Sequence, residues 1–197
     1  MNLELKDIQL PMRIRPESAL SDLELMRFCD HSGLRVEREP DGELVIMTPA
    51  GFRTSTMNDR ISFSLHAWAE ADGRGVTTGS DGGYTLPDGS MRAPDAAWVL
   101  LERVATLSAE QQEGFAPICP DFVIELRSPG DRLAELQSKM ERWISNGAKV
   151  AWLIDPKRRT VTIYRAKQEP EELTDPSSVQ GDGPVQGFEL VMNKVWG

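Results

Sequence analysis

Cysteine and histidine are scarce, with two of each in 197 residues. Cys29 and Cys119 have neither metal-ligand spacing nor a disulfide framework, and His31 and His66 show no ligand spacing. This argues against a zinc centre and against histidine-based hydrolysis. A reducing cytoplasm is the default compartment for such a chain. No apolar run approaches the roughly 20 residues that span a bilayer, so no membrane association is expected. The N-terminal MNLELKDIQLPMRIRP lacks the basic and apolar regions of a secretory signal. Neither G-x-G-x-x-G nor a P-loop spacing is present, which leaves a sugar- or nucleotide-modifying enzyme without support. Basic residues are in the minority. The net charge of −9 argues against broad electrostatic binding of nucleic acid.

The acid excess is uneven. From Arg127 to Lys167 there are ten Lys and Arg against four Asp and Glu, a local excess of six positive charges. That pattern fits a locally basic active side. It equally fits a solvated helix face followed by the basic turn Lys157-Arg158-Arg159. Hydrophobic residues make up 40%, an ordinary share for a globular chain, and the length suits one domain over 1–197. No internal repeat is present.

The central stretch is PDFVIELRSPGDRLAELQSK, residues 120–139. It reads as a strand over Phe122–Arg127, a break at Ser128-Pro129-Gly130, and an amphipathic helix. Glu125 is an acid inside an apolar strand. A buried carboxylate without partners is costly, so a cation, a metal or several donors should stand beside it. Strand alternation puts Glu125 and Arg127 on one face. An acid and a base two residues apart at a strand end form half of a metal-dependent nuclease site. The dull rival is a structural salt bridge from Glu125 to Arg127 or to a neighbouring strand.

The rest of the chain can be placed around this stretch. Residues 1–17 read as an irregular arm. Ser21-Asp22-Leu23-Glu24 is a capping box, with Leu20 and Leu25 as its staple, and a helix runs to about Asp30. Leu34–Glu37 and Glu43–Met47 flank the hairpin signal Pro40-Asp41-Gly42. A second helix over about Arg53–Ala71 carries Met57, Ile61, Leu65 and Trp68 at helical spacing. Short strands follow at Gly75–Thr78 and Gly83–Leu86, then a buried strand at Ala96–Leu101. The helix after the central strand carries Leu133, Leu136, Met140, Trp143 and Ile144 as a core stripe. Val150–Ile154 and Thr160–Arg165 read as partner strands. Residues 166–184, rich in Glu, Pro, Ser, Asp and Gly, read as a mobile loop, and Gly187–Trp196 as ordered structure. Hairpins early and a strand–helix–strand unit later predict an α/β (α+β) domain: one mixed sheet flanked by helices, with an N-terminal helix and β-hairpin.

Pro-Asp occurs three times, and geometry discriminates among the candidates for a second acid. Asp121 shares a face with Glu125 but lies about 13 Å away along a strand, too far to share a small cation. Asp88 belongs to a turn with Gly89. Asp95 heads a separate apolar strand that can pair beside Phe122–Arg127, and it is the predicted partner, with a loop-capping aspartate as the dull rival. Two carboxylates suit Mg²⁺, which takes one or two of them plus waters and phosphate oxygens, with Mn²⁺ as a substitute. Such an ion activates water and offsets the charge that builds on a phosphodiester.

GGYTLPDGSMRAPDAAWVL, CPDFVIELRSPGDRLAELQSKMERWISNGAKVAWLIDP and VTIYR, together with ELVIMTP and GFELVMNKVW, resemble the Uma2 family (DUF820) from about Ser21 to Trp196. The resemblance implies the PD-(D/E)xK restriction-endonuclease-like fold and endonuclease activity on DNA. It also implies a metal site from Asp95 and Glu125, with Glu43 as a third acid; the rival for Glu43 is an ordinary hairpin acid. That fold has a lysine two positions after the second acid, where this chain has Arg127. Arginine stabilises phosphate but stays protonated, so it is a poor base. In some members of the wider superfamily the lysine comes from the following helix, where Lys139 stands; its dull rival is a surface pair with Glu135. The family's histidine after the early strand is also replaced, by Arg53-Thr54-Ser55. A homodimer is expected, since cutting two strands needs two sites. The alternative expectation is a degenerate nuclease scaffold kept as a nucleic-acid-binding or regulatory module.

Overall fold

The computed structural model describes residues 11–196. Its elements, in chain order, begin with β1 (Met12–Ile14), α1 (Asp22–Ser32), β2 (Arg35–Arg38), β3 (Leu44–Met47), α2 (Phe52–Asp72), β4 (Gly75–Gly79), β5 (Tyr84–Thr85) and β6 (Met91–Arg92). They continue with β7 (Ala96–Leu100), α3 (Leu101–Val104), α4 (Ala109–Glu113), β8 (Phe122–Leu126), α5 (Leu133–Ser145), β9 (Val150–Asp155) and β10 (Thr160–Arg165). The last are β11 (Glu171–Thr174), β12 (Ser178–Gln180), β13 (Glu189–Val191) and α6 (Met192–Trp196).

The strands form two larger sheets and a ribbon, where one mixed sheet was expected. The central sheet has the order β11-β10-β9-β8-β7-β4, and the N-terminal hairpin builds a second sheet, β1-β3-β2-β6-β5. β12 and β13 make the ribbon. Within the central sheet β8 and β9 are parallel and the other pairs antiparallel. A parallel pair needs a crossover, and α5 supplies it.

Alternation along β8 sorts the core. Phe122, Ile124 and Leu126 face α2, where Met57, Ile61, Leu65 and Ala69 line the helix. Val123 faces α5, against Met140 and Trp143. Glu125 has the same parity as Val123, so it lies between the sheet and α5. The second sheet packs Val36, Leu44 and Ile46 against Leu25 of α1. Its opposite face carries Glu37 and Glu39 toward α5.

The capping box forms as its residue spacing predicts. Ser21 Oγ accepts from Glu24 N at 3.3 Å, and the Glu24 carboxylate accepts from Ser21 N at 2.8 Å. The β2–β3 hairpin turns on Gly42, whose φ of 84° is the left-handed geometry that glycine takes without strain.

Two expectations are corrected. Residues 1–10 of the expected irregular arm lie outside the described residues, but Met12–Ile14 pairs with β3 as a strand, Met12 opposite Ile46. Met12 packs on the α1 cluster, and its strand completes the sheet edge. The segment 166–184 is also not a loop throughout. β11 pairs with β10, Leu173 opposite Val161, and Val179 of β12 is buried against the α2 side of the core. Its polar residues face outward into ion pairs: Arg165 with Glu171 and Asp182, and Arg158 with Glu172. Among the described residues no helix is long and apolar enough to cross a membrane.

Candidate active site

Asp95 lies immediately before β7, and Glu125 is the penultimate residue of β8. The β7–β8 register pairs Ala96 with Ile124, so one further step brings Asp95 opposite Glu125. Asp95 is clamped at both oxygens. Its Oδ2 accepts from the Leu126 backbone N–H at 2.7 Å, and its Oδ1 accepts from Asn58 Nδ2, on α2, at 2.8 Å. Glu125 is buried, with 4% of its surface exposed. Its Oε1 accepts from Lys139 Nζ and from Trp143 Nε1, both at 2.9 Å. Lys139 and Trp143 are four residues apart on α5, hence on one face of the helix.

Lys139 is shared. Its ammonium also lies 2.9 Å from Glu37 Oε1 on β2, and Glu37 Oε2 takes a second charged bond from Arg92 at 2.9 Å. Arg92 and Arg142 both reach Glu39, Arg92 at 2.5 Å. The result is a buried lattice of charges joining the hairpin sheet, β6, β8 and α5.

The charges are not equally compensated. Burial raises the carboxyl pKa of Glu37, but Lys139 and Arg92 together overcome it and hold the group at about 2. For Glu125, burial pushes the pKa up to about 7; half a share in Lys139 does not offset it, and the negative Asp95 and Glu37 add to the push. Burial also works against the Lys139 ammonium, but Glu125 and Glu37 outweigh it and raise its pKa. Lys139 is therefore a fixed cation and hydrogen-bond donor, not a base. Glu125 is the acid in this lattice with too little positive charge beside it.

That imbalance tests the fit of a metal. Among the described residues no three His, Cys, Asp or Glu side chains converge as a cage. A cage is not what Mg²⁺ requires, since one or two carboxylates with waters and phosphate oxygens suffice. Asp95 and Glu125, at the ends of adjacent strands, are the two carboxylates that would hold such an ion.

The structure thus sets Glu125 against Lys139 with Asp95 at the head of the adjacent strand, and the salt bridge that Glu125 makes is a buried one to α5 rather than to Arg127 or a neighbouring strand. Glu125 does not pair with Arg127, and Glu135 pairs with Arg132 rather than with Lys139. Arg127 and Glu43 are placed elsewhere. β8 ends at Leu126, and the Arg127 guanidinium turns to Asp155 Oδ2 at 2.7 Å and to the Asp131 carbonyl. Glu43 stands on the same face as Glu37 but at the rim, 2.7 Å from Arg13. The two rejected aspartates have structural work. Asp121 pairs with Arg103 at 2.8 Å, and Asp88 holds the Ser90 turn.

Glu37, Asn58 and the Trp143 indole were missed. Glu37 alternates with buried Val36 exactly as a solvent-facing acid would, so the sequence carried no local signal for it. Trp143 reads as core from its helical spacing, and it is core; its N–H serves the site as well.

A mixed sheet flanked by helices, with a parallel β8–α5–β9 unit, defines a class by fold, the restriction-endonuclease-like α/β proteins. The chain belongs to the Uma2 family, described as "Putative restriction endonuclease", which matches residues 21–193. A protein of Anabaena variabilis, whose crystal structure is titled that of "a putative nuclease belonging to DUF820", shares the fold. Its TM-score is 0.72 at 18% identity, covering 90% of this chain and 97% of that one. No curated protein sequence matches the chain.

Proposed function

We propose that this chain is a metal-dependent endonuclease that hydrolyses DNA phosphodiester bonds, with Mg²⁺ or Mn²⁺ held by Asp95 and Glu125. The observation that carries the reading is the under-compensated Glu125, opposite Asp95 and against Lys139. The family and the structural neighbour, both described as nucleases, support the reaction class. A bound divalent ion supplies Lewis acidity and charge neutralisation at a phosphodiester. The chain's own residues supply orientation. The Leu126 N–H and Asn58 fix the Asp95 carboxylate, and Trp143 fixes that of Glu125. Lys139 stays protonated, so it serves by donating to the attacking water or to a phosphate oxygen. Glu37 holds the ammonium in place.

Arg127 is committed to Asp155, so of the two candidate cations Lys139 is the one beside Glu125. A lysine against Glu125 also favours a working enzyme over a retired scaffold that only binds. A homodimer would bring two such sites to one duplex, which light scattering on the purified protein tests.

The central test is Glu125→Ala, assayed with plasmid DNA and a matched RNA in Mg²⁺ and in Mn²⁺. Cleavage should be lost while circular dichroism stays unchanged. A folded variant that still cuts removes Glu125 from the mechanism.

A further inference from the structure

A cleft of about 740 Å³ opens between β2, the start of α2 and the turn after β4, and reaches Asp95 only through Asn58. Asn58 is on its wall and is the same residue that holds Asp95. The Asn58 Oδ1 is buried and has no hydrogen-bond partner. The other polar side chain of interest on this wall is Arg35, the first residue of β2. Its Nη2 reaches the Ala93 carbonyl at 3.4 Å, and its Nε is buried without a partner. Among the described residues no carboxylate lies within 4.0 Å of it.

The neighbouring arginines are not like this. Arg38 is bound to Asp22 at 2.7 Å, and Arg92 to Glu37 and Glu39. A guanidinium carries five N–H donors, matched in geometry to phosphate, and a half-buried one without an acid is a site waiting for an anion. Position sharpens the point. Arg35 and Glu37 share one face of β2, about 7 Å apart along the strand. Glu37 grips Lys139, and Ala93 stands two residues before Asp95. Arg35 therefore flanks the acid–lysine centre from the cleft side.

We propose that Arg35 grips a backbone phosphate of the substrate strand, which enters through this cleft and is set in register with Asp95, Glu125 and Lys139. The proposal rests on the nuclease reading above. Asp59 and Asp81 are the other charged residues on the cleft wall. With two acids and one arginine the cleft does not attract a polyanion as a whole. Arg35 instead holds one phosphate at one point, a positioning contact that carries no base information.

The test measures binding of a short DNA duplex to the full chain in Ca²⁺, across a range of salt concentrations. Arg35→Gln should weaken binding roughly tenfold, since a charge-assisted contact is lost. The slope of log K against log salt should fall by about one, equally for unrelated sequences. In Mg²⁺ the loss should fall on KM more than on kcat. Arg35→Lys should keep the slope and recover part of the affinity. If the wild-type chain binds no nucleic acid, the nuclease reading falls and this proposal with it. If wild type binds and a folded Arg35→Gln matches it in affinity and slope, this proposal alone is overturned. Should Arg35→Gln fail to fold, phenylglyoxal footprinting of the wild type decides. The duplex should protect Arg35 but not the exposed Arg27, and an unprotected Arg35 overturns the proposal.

Discussion

Two glutamates share the Lys139 ammonium, and their surroundings push them in opposite directions. Glu37 has Lys139 and Arg92. Glu125 has Lys139, an indole N–H and the negative Asp95 nearby. The pH dependence of stability follows from the shifts. Glu37 is depressed from 4.5 to about 2, so its contribution is present above pH 4.5 and lost as pH falls through 2. Glu125 is raised from 4.5 to about 7, so the folded chain keeps a proton that the unfolded chain has released. Its contribution is present below pH 4.5 and is lost as pH rises through 7. Glu125→Gln imitates the protonated form. Without divalent ions it should match wild type in urea unfolding at pH 4.5 and exceed it at pH 8, by up to about 3 kcal/mol. A variant less stable than wild type at pH 8 would show that Lys139 fully compensates Glu125, and the argument for a cation there would lose its basis.

At the scale of elements, α5 and the C-terminal segment were legible to different degrees. The stripe Leu133, Leu136, Met140, Trp143 and Ile144 identified α5 from periodicity alone, and strand alternation put Glu125 on the face that α5 covers. Glu37 could not be found in the same way. It meets Lys139 across 102 positions of sequence, through a second sheet whose packing no local pattern records. The segment after Arg165 misled for a related reason. Pro170, Pro176, Gly181 and Pro184 are loop residues by composition, but the apolar residues among and after them close the α2 side of the core. Val179, Val185, Phe188, Leu190, Met192, Val195 and Trp196 are all buried there. Each buried side chain of this size contributes roughly 1.5–3 kcal/mol, and domains are stable by only about 5–15 kcal/mol in total. A chain ended after Ala166 should therefore show no cooperative thermal transition by circular dichroism. A cooperative melt in that truncation would mean that the central sheet and α2 suffice without the ribbon and α6.

At the scale of the whole molecule, the basic stretch from Arg127 to Lys167 does not present its excess charge. Arg127, Arg132, Lys139, Arg142, Arg158, Arg159 and Arg165 all pair with acids, most of them from outside the stretch. That leaves Lys149, Lys157 and Lys167 on a chain of net charge −9. A nucleic-acid backbone approaching this stretch meets little unpaired positive charge, and the molecule's long-range field is of its own sign. On the proposed reading, binding draws on a divalent ion held by Asp95 and Glu125, which would turn the most repulsive point of the site into an attractive one. Two consequences follow for a short duplex at about 0.1 M salt, where the Debye length is roughly 10 Å. Replacing Ca²⁺ with EDTA should weaken binding at least tenfold. The slope of log K against log salt should stay near two, well below the value for proteins that make about 6–10 phosphate contacts. Fluorescence anisotropy titrations measure both. Tight binding in EDTA with a steep slope would mean that a basic surface outside the cleft does the holding, and that the ion has no part in recruiting the substrate.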